Sequence, residues 1–299
     1  MDRLLSIVIA NYNYGRYLEE AIKSVLVPGL GRLVELIVCD GGSTDSSVEI
    51  IRRYARGLPP NTLRAVRQST SMEDEINLDF PQITWWCSEK DNGQSDAFNK
   101  GFAHARGKYL TWLNADDVFL PGALSKVIKA MRTHPKCEWF TANAIRFLNN
   151  GAVYQIWWGP HWYPDILQRT SSPIVAFGPS TFFAKSLFER VGPFDESLQM
   201  TMDTDMWLRF IEAGVKQRRI NCFCWGFRMH EQSKTAEFNS HSLVGDAARK
   251  MTADSRRLDA KHRYEMSKLL RACCLALRLV DGSLARKIWY GLFLLRIKI

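Results

Sequence analysis

The apolar positions change period along the chain, and each change marks an element. Residues 4–10, "LLSIVIA", form a short, nearly continuous apolar run that ends at polar Asn11. Such a run predicts a strand buried on both faces. Leu18, Ile22, Val25 and Leu26 then recur at helical spacing, and Pro28 and Gly29 end the pattern. A second buried strand, "VELIVC", runs into the Gly41-Gly42 turn. The helix "SSVEIIRRYAR" follows, with Ser46 or Ser47 as its N-cap. This β-α-β-α order predicts a parallel sheet with helical crossovers.

Residues 58–82 interrupt the rhythm with tandem prolines, many polar residues and an acidic cluster, and read as a long surface loop or insertion. The alternation resumes with the strand "ITWWCSEKDNG", a helix over 93–107 with small residues on one face, and the strand "KYLTWLNADD". Another helix has Pro121 near its first turn. Two further strands, "CEWFTANAIRFL" and "VYQIWW", come next. A helix runs from near Asp203 to Gly214, and a late strand, "VKQRRINCFCWGFRMH", has a basic end. From about residue 240 the chain is helical, basic and increasingly apolar. The expected organisation is an α/β domain over 1–240 and a helical extension over 241–299.

Composition narrows the function classes. Of the 299 residues, 46% are apolar and 24% charged, enough apolar material for a sizeable core. The formal net charge of +9 suits an anionic partner, whether a nucleotide, a nucleic acid or an anionic membrane. The basic residues are spread, and concentrate in the tail beside apolar ones rather than in a stripe with exposed aromatics, so a nucleic-acid partner is not expected. Seven scattered cysteines without a C-x-x-C pair predict reduced thiols in a cytoplasmic protein. The first apolar run is too short for a secretory signal. No stretch approaches the roughly 20 uninterrupted apolar residues of a membrane span.

Carboxylates recur where the predicted strands end. Asp40 ends the second, Asp91 follows the third, and Asp116 and Asp117 end the fourth. In open α/β sheets that rim is where ligands bind. Acids gathered on one rim repel one another unless they hold a cation or share protons. Hard oxygen ligands suit Mn²⁺ or Mg²⁺, commonly held by one or two carboxylates plus substrate phosphates. The alternative for Asp116-Asp117 is a solvated acidic turn before the helix at Pro121.

With these residues in view, residues 4–235 resemble the family 2 glycosyltransferases, inverting enzymes with the nucleotide-sugar-binding fold called GT-A. "SIVIANYNYGRYLEEAIKSV" is similar to the family's opening strand and helix, and "VELIVCDGGSTDSS" to its nucleotide-binding turn. "SEKDNGQSDAFNKGFAHARGKYLTWLNADD" resembles the segment ending in the D-x-D element, and "GPSTFFAKSLFERVGPFDESL" the acceptor-side segment. "MDTDMWLRF" resembles the segment with the catalytic base, and "FRMHEQS" the C-terminal Arg/His motif. The fold implied is a Rossmann-like mixed sheet with flanking helices. Two positions depart from the family: the first D of D-x-D is Asn114, and the acid usually preceding the base is Met202.

The resemblance implies roles. Asn11, Tyr12, Asp40 and Asp91 would line the nucleobase and ribose pocket. Asp116, Asp117 and His230 would ligate Mn²⁺ or Mg²⁺, with Asn114 as a ribose or metal contact. Asp203 would be the general base, with Asp205 as the alternative carboxylate. Arg228 and His230 would approach the diphosphate, joined by Ser233 and Lys234. Each has a plainer reading: a strand-end or Asx turn for Asn11, Asp40 and Asp91, an N-cap for Asp203, and core for Trp207.

The implied reaction transfers a sugar from a nucleotide sugar, UDP being the commonest carrier among relatives, to a hydroxyl of a glycan or lipid-linked acceptor in bacterial surface polysaccharide synthesis. The tail, with Trp289 and Tyr290 among Arg, Lys and apolar residues, would lie on the inner face of the cytoplasmic membrane. Its alternative is packing on the core. A nucleotidylyltransferase would need a glycine-rich first loop with an Arg and a Lys, which "IANYNYGRYLEE" does not offer. A non-enzymatic nucleotide-binding scaffold of the same fold is the competing reading, and Asn114 is its footing.

Overall fold

The structure, a computed structural model, describes residues 3–55, 82–159, 178–231 and 246–262. The expected loop at 58–82, apart from its last residue, and the tail beyond 262 lie outside the described residues. The elements in chain order are β1 (Leu5–Asn11), α1 (Gly15–Val25), β2 (Val34–Asp40), α2 (Ser47–Ala55), β3 (Ile83–Ser88) and α3 (Gln94–His104). There follow β4 (Tyr109–Asn114), β5 (Val118–Phe119), α4 (Ala123–Thr133), β6 (Trp139–Leu148) and β7 (Val153–Trp157). The remainder are β8 (Thr181–Ala184), α5 (Lys185–Val191), α6 (Met202–Glu212), β9 (Arg218–Met229) and α7 (Asp246–His262). The chain forms two compact units, residues 1–136 with 182–196, and residues 137–181 with 197–299.

In the first unit the strands lie in the order β3-β2-β1-β4-β8. The first four are parallel, and β8 runs antiparallel to β4. The apolar runs follow from this placement. Every residue of β2 is buried, and all of β1 but Ala10, because helices cover both faces. On α1 the buried positions are Gly15, Tyr17, Leu18, Ala21, Ile22 and Val25, one face of a helix. The small-residue face of α3 has a steric cause: a Cβ on Gly101 would stand 2.3 Å from Val8 Cγ1 and 3.1 Å from Cys39 Sγ. Phe102 and Trp112 anchor an aromatic cluster with Phe183, Phe188 and Phe194, at centroid separations of 5.1–6.3 Å. At the amino ends of the strands, fully buried Glu35 accepts from the Ser6 hydroxyl at 2.6 Å and from the Arg106 side chain at 3.2 Å.

In the second unit β6 pairs antiparallel with β7 and parallel with β9. Trp139 of β6 stacks on Trp207 of α6 at 5.8 Å, so Trp207 is core. Helix α7 is the described part of the expected extension, and it is hydrogen-bonded to α6 and to the segment leading into it. Among the described residues no helix is long and apolar enough to cross a membrane.

Candidate functional site

Register brings the strand ends of the first unit to one level. Asn11 is the partner of Asp40, Asp40 of Ser88, and Ala10 of Asn114. β1 has β2 on one side and β4 on the other, so the strand order reverses there. This is the crevice in which open α/β sheets take ligands. The sequence-predicted residues Asn11, Asp40 and Asn114 therefore lie along one rim.

Asp40 is buried and both its oxygens are occupied. Oδ1 accepts from Asn11 Nδ2 at 2.6 Å and from the Ser43 hydroxyl at 2.5 Å. Oδ2 accepts from the Ser43 N–H at 2.9 Å and the Ser88 hydroxyl at 2.6 Å. The Asx turn into Gly41-Gly42 is thus present, and it fixes the carboxylate on the rim. Asn11 also donates to Ser43 Oγ at 3.1 Å, while its buried Oδ1 meets no donor. Tyr12, next in the chain, is exposed. Asp91 accepts from the Gly93 N–H at 2.9 Å, and its carboxylate packs on Gly41, where a Cβ would stand 2.6 Å from Oδ2.

The turns after β1 and β2 are stitched together by residues outside the expected set. Asn13, at φ 56°, accepts from the Thr44 N–H at 2.8 Å, and its own N–H donates to Ser43 Oγ at 2.8 Å. Asp45 accepts from the Gly15 N–H at 2.8 Å and the Ser47 N–H at 3.0 Å. Asp45, not Ser46 or Ser47, is therefore the side chain that caps α2. Burial opposes its ionisation, but these bonds outweigh it and hold the carboxyl below the usual range. The reason lies one residue upstream of the expected cap: an aspartate there reaches two helix starts at once.

After β4, Asn114 Nδ2 donates to Asp117 Oδ2 at 3.0 Å, and the Asp117 N–H donates to the Asn114 carbonyl at 3.1 Å. Asp117 has no exposed surface. The second acid of the pair is thus also an anchor of the turn. The same bond orients the Asn114 amide so that Oδ1 is the atom not committed to Asp117. Asp116 is half-buried. The Tyr14 phenol is pushed up to about 12, by burial first and by the Asp116 charge second. Among the described residues no group of three or more His, Cys, Asp and Glu forms a ready-made metal site. The carboxylates of Asp116 and Asp117 and the Asn114 amide oxygen are hard donors within one turn, and His230, at the end of β9, is the other expected ligand. Oxygen donors of this kind are the type that Mn²⁺ or Mg²⁺ takes, usually with phosphates completing the shell.

In the second unit Asp203 stands in the first turn of α6, half-buried, accepting from the Thr204 N–H at 2.7 Å. The described residues give it no cationic partner. Loss of solvation pushes its carboxyl up to about 6, against the pull of its bonds to the backbone and Thr204. Asp205, two residues on, is the opposite case. It is fully buried and bonded to Arg209 at 2.8 Å, Lys261 at 2.7 Å and His262 at 3.0 Å. Burial alone would raise its carboxyl, but these partners outweigh it and hold it at about 2. Arg228 and His230, at the end of β9, are both buried, and the Arg228 guanidinium lies 4.6 Å from the centre of the Phe147 ring. Ser233 and Lys234 lie outside the described residues.

Residues 6–192 match the family model described as glycosyl transferase family 2. The chain belongs to that family. A protein called an uncharacterized glycosyltransferase in Nostoc sp. is 34% identical over 129 residues, 43% of this chain and 33% of that protein. Another, from Rickettsia prowazekii, is 25% identical over 70% of this chain and 59% of its own length. The chain thus spans about a third to three-fifths of these two relatives. Among solved structures, Staphylococcus aureus TarS 1-349 in complex with UDP-GlcNAc superposes with TM-score 0.58 at 14% identity, over 93% of this chain and 72% of that one. The mannosyltransferase PcManGT from Pyrobaculum calidifontis, in complex with GDP-Man and Mn²⁺, gives 0.51 at 16% identity, over 96% and 79%. At these identities the likeness establishes the fold, that of the family 2 enzymes.

Proposed function

We propose that this family 2 chain transfers a sugar, with inversion, from a nucleoside diphosphate sugar to a hydroxyl of a glycan or lipid-linked acceptor. The observation that carries the reading is the contrast on α6. Asp205 is bonded to Arg209, Lys261 and His262, whereas among the described residues Asp203 has no cationic partner and loss of solvation pushes its carboxyl up to about 6, where a general base is useful. Asp203 takes the proton from the acceptor hydroxyl. That oxygen attacks the anomeric carbon from the face opposite the diphosphate, the bond to the phosphate oxygen breaks, and nucleoside diphosphate leaves. Holding donor and acceptor in line supplies much of the rate.

Asn11, Asp40 and Asp91 form the floor for base and ribose in this reading, with the exposed Tyr12 ring at its edge. UDP is the carrier we favour, because the TarS fragment is described with UDP-GlcNAc. Asp116 and Asp117, with His230 and the Asn114 oxygen, would hold Mn²⁺ or Mg²⁺, which when bound supplies Lewis-acid stabilisation to the departing diphosphate. Arg228 and His230 are assigned to the diphosphate. The tail beyond 262 is assigned to anionic lipid at the inner face of the cytoplasmic membrane, near lipid-linked acceptors of bacterial surface polysaccharide synthesis.

The test is release of nucleoside diphosphate from UDP-, GDP- and dTDP-sugars, with Mn²⁺, Mg²⁺ or EDTA, on the wild type, Asp116→Ala and Asp203→Asn. Turnover of one donor that is lost with EDTA and in Asp116→Ala supports the donor and metal assignments. Loss of roughly 10²–10⁴-fold in Asp203→Asn, with nucleotide binding retained, supports the base. Metal-dependent nucleotide binding without turnover of any donor would instead favour the scaffold reading that Asn114 invites.

A further inference from the structure

Helix α7 holds the segment that carries Asp203 on both sides of that residue. Upstream, Asp254 is 2% exposed, and its Oδ2 accepts the N–H groups of Gln199 at 2.9 Å and Met200 at 2.7 Å. The Thr201 hydroxyl lies 3.4 Å from the same oxygen. Thr201 is the N-cap residue of α6, and its carbonyl accepts the Asp205 N–H at 3.0 Å. Its own side chain makes no capping bond, so the entry to α6 is fixed by a carboxylate from 53 residues further along the chain. Downstream, Lys261 and His262 bind Asp205, and His262 also meets Glu212 at 2.7 Å. Arg257 adds a bond to the Ser197 carbonyl. Asp203 stands between these attachments and makes none of them.

We propose that Asp254 is a positioning residue for transfer: it fixes the Gln199–Thr201 entry to α6 and so the direction in which Asp203 presents its carboxylate. The inference rests on the reading of Asp203 as the base. It goes beyond that reading, because Asp254 lies on α7, outside every segment that carries the resemblance to the family. Two backbone N–H groups aimed at one buried carboxylate set the direction of the first helical turn more narrowly than a solvated entry would. Charge-assisted bonds of this kind are about twice as strong as neutral ones. A misplacement of about 1 Å at a reacting group is enough to cost on the order of 10²-fold in rate. Asp254 bonds Gln199, Met200 and Thr201, none of them assigned to the donor, so the effect is expected on kcat and not on donor KM.

The experiment uses the full chain and the variants Asp254→Ala, Asp254→Asn, Lys261→Ala and Asp203→Asn. Kinetics are read with the nucleotide sugar that the donor panel selects, and amide hydrogen exchange is read on the same samples with UDP and Mn²⁺ as the added ligands. In Asp254→Ala we expect kcat to fall at least tenfold with donor KM within twofold of wild type. Exchange should rise over 199–206 and stay unchanged over 5–40. Asp254→Asn keeps an oxygen for the two N–H groups and should recover most of kcat. If Asp254→Ala cannot be purified folded, Lys261→Ala carries the test, loosening 205–212 with a smaller fall in kcat. Wild-type kcat in Asp254→Ala, while Asp203→Asn is inactive, would overturn the positioning role and leave the base intact. Wild-type kcat in Asp203→Asn would overturn the base reading itself. Unchanged exchange over 199–206 in Asp254→Ala would overturn the positioning role whether or not any donor turns over.

Discussion

Two carboxylates two residues apart on α6 ionise at opposite ends of their range, and the cause is countable. Asp205 has three cationic partners that hold it at about 2, while among the described residues Asp203 has none and loss of solvation pushes it up to about 6. If Asp203 is the base, only its deprotonated form works. Activity should therefore rise with pH through about 6 and level off above it, falling tenfold per unit on the acid side. A kcat/KM profile measured from pH 4.5 to 8.5 checks this, and a flat profile across pH 6 counts against the assignment. For Asp205 the folded value is depressed, so its stabilising contribution is present above pH 3.8 and lost as pH falls through about 2. The contribution is about 2 kcal/mol. Urea unfolding at pH 7 and pH 3 on the wild type and Asp205→Asn reads it as a difference that shrinks in acid. The resemblance favoured Asp203 over Asp205, but their electrostatic difference was not legible, because Lys261 and His262 are more than fifty residues away from Asp205. For the DD pair the sequence offered a metal site or a solvated turn, and that Asp117 is buried shows only in the turn closed by Asn114.

Elements were the most legible level. Continuous apolar runs marked β1 and β2, and the small face of α3 was visible in the sequence, though its cause, the close approach of Gly101 to Val8, was not. Gly101→Ala should cost about 1–3 kcal/mol by overpacking, measurable as a lowered urea midpoint with an unchanged m-value. The attachment of α7 left no local signature, since its partners at 199–200 and 205–212 carry no motif that points to it. Its outer end depends on pH. Burial lowers the affinity of His262 for a proton, but its bonds to Asp205 and Glu212 outweigh burial and raise it above 6.5. A raised value means that the stabilisation is complete below pH 6.5 and is lost as pH rises through the folded value. Exchange at the carboxyl end of α7, corrected for intrinsic rates, should therefore increase from pH 6 to pH 9 in the wild type and be pH-independent in His262→Asn.

At the scale of the whole chain, net charge and the tail suggested an anionic surface, and the strand-end acids suggested a phosphate ligand held through a cation. Both came from patterns that are local in sequence. The path of the backbone did not. The first unit is discontinuous: its sheet takes β8, and its aromatic cluster takes Phe183, Phe188 and Phe194, from residues that follow an excursion through 137–181. On the ribosome this imposes an order in time. A nascent chain that has reached residue 136 already holds β1 to β4 but has nothing to lay over Phe102 and Trp112. At ordinary elongation rates the covering segment emerges about 3–12 s later. For that interval the half-built unit is a client for any chaperone that recognises aromatic surface. A ribosome-stalled chain exposing residues 1–136 should be captured by such a chaperone, and one exposing residues 1–196 should be released.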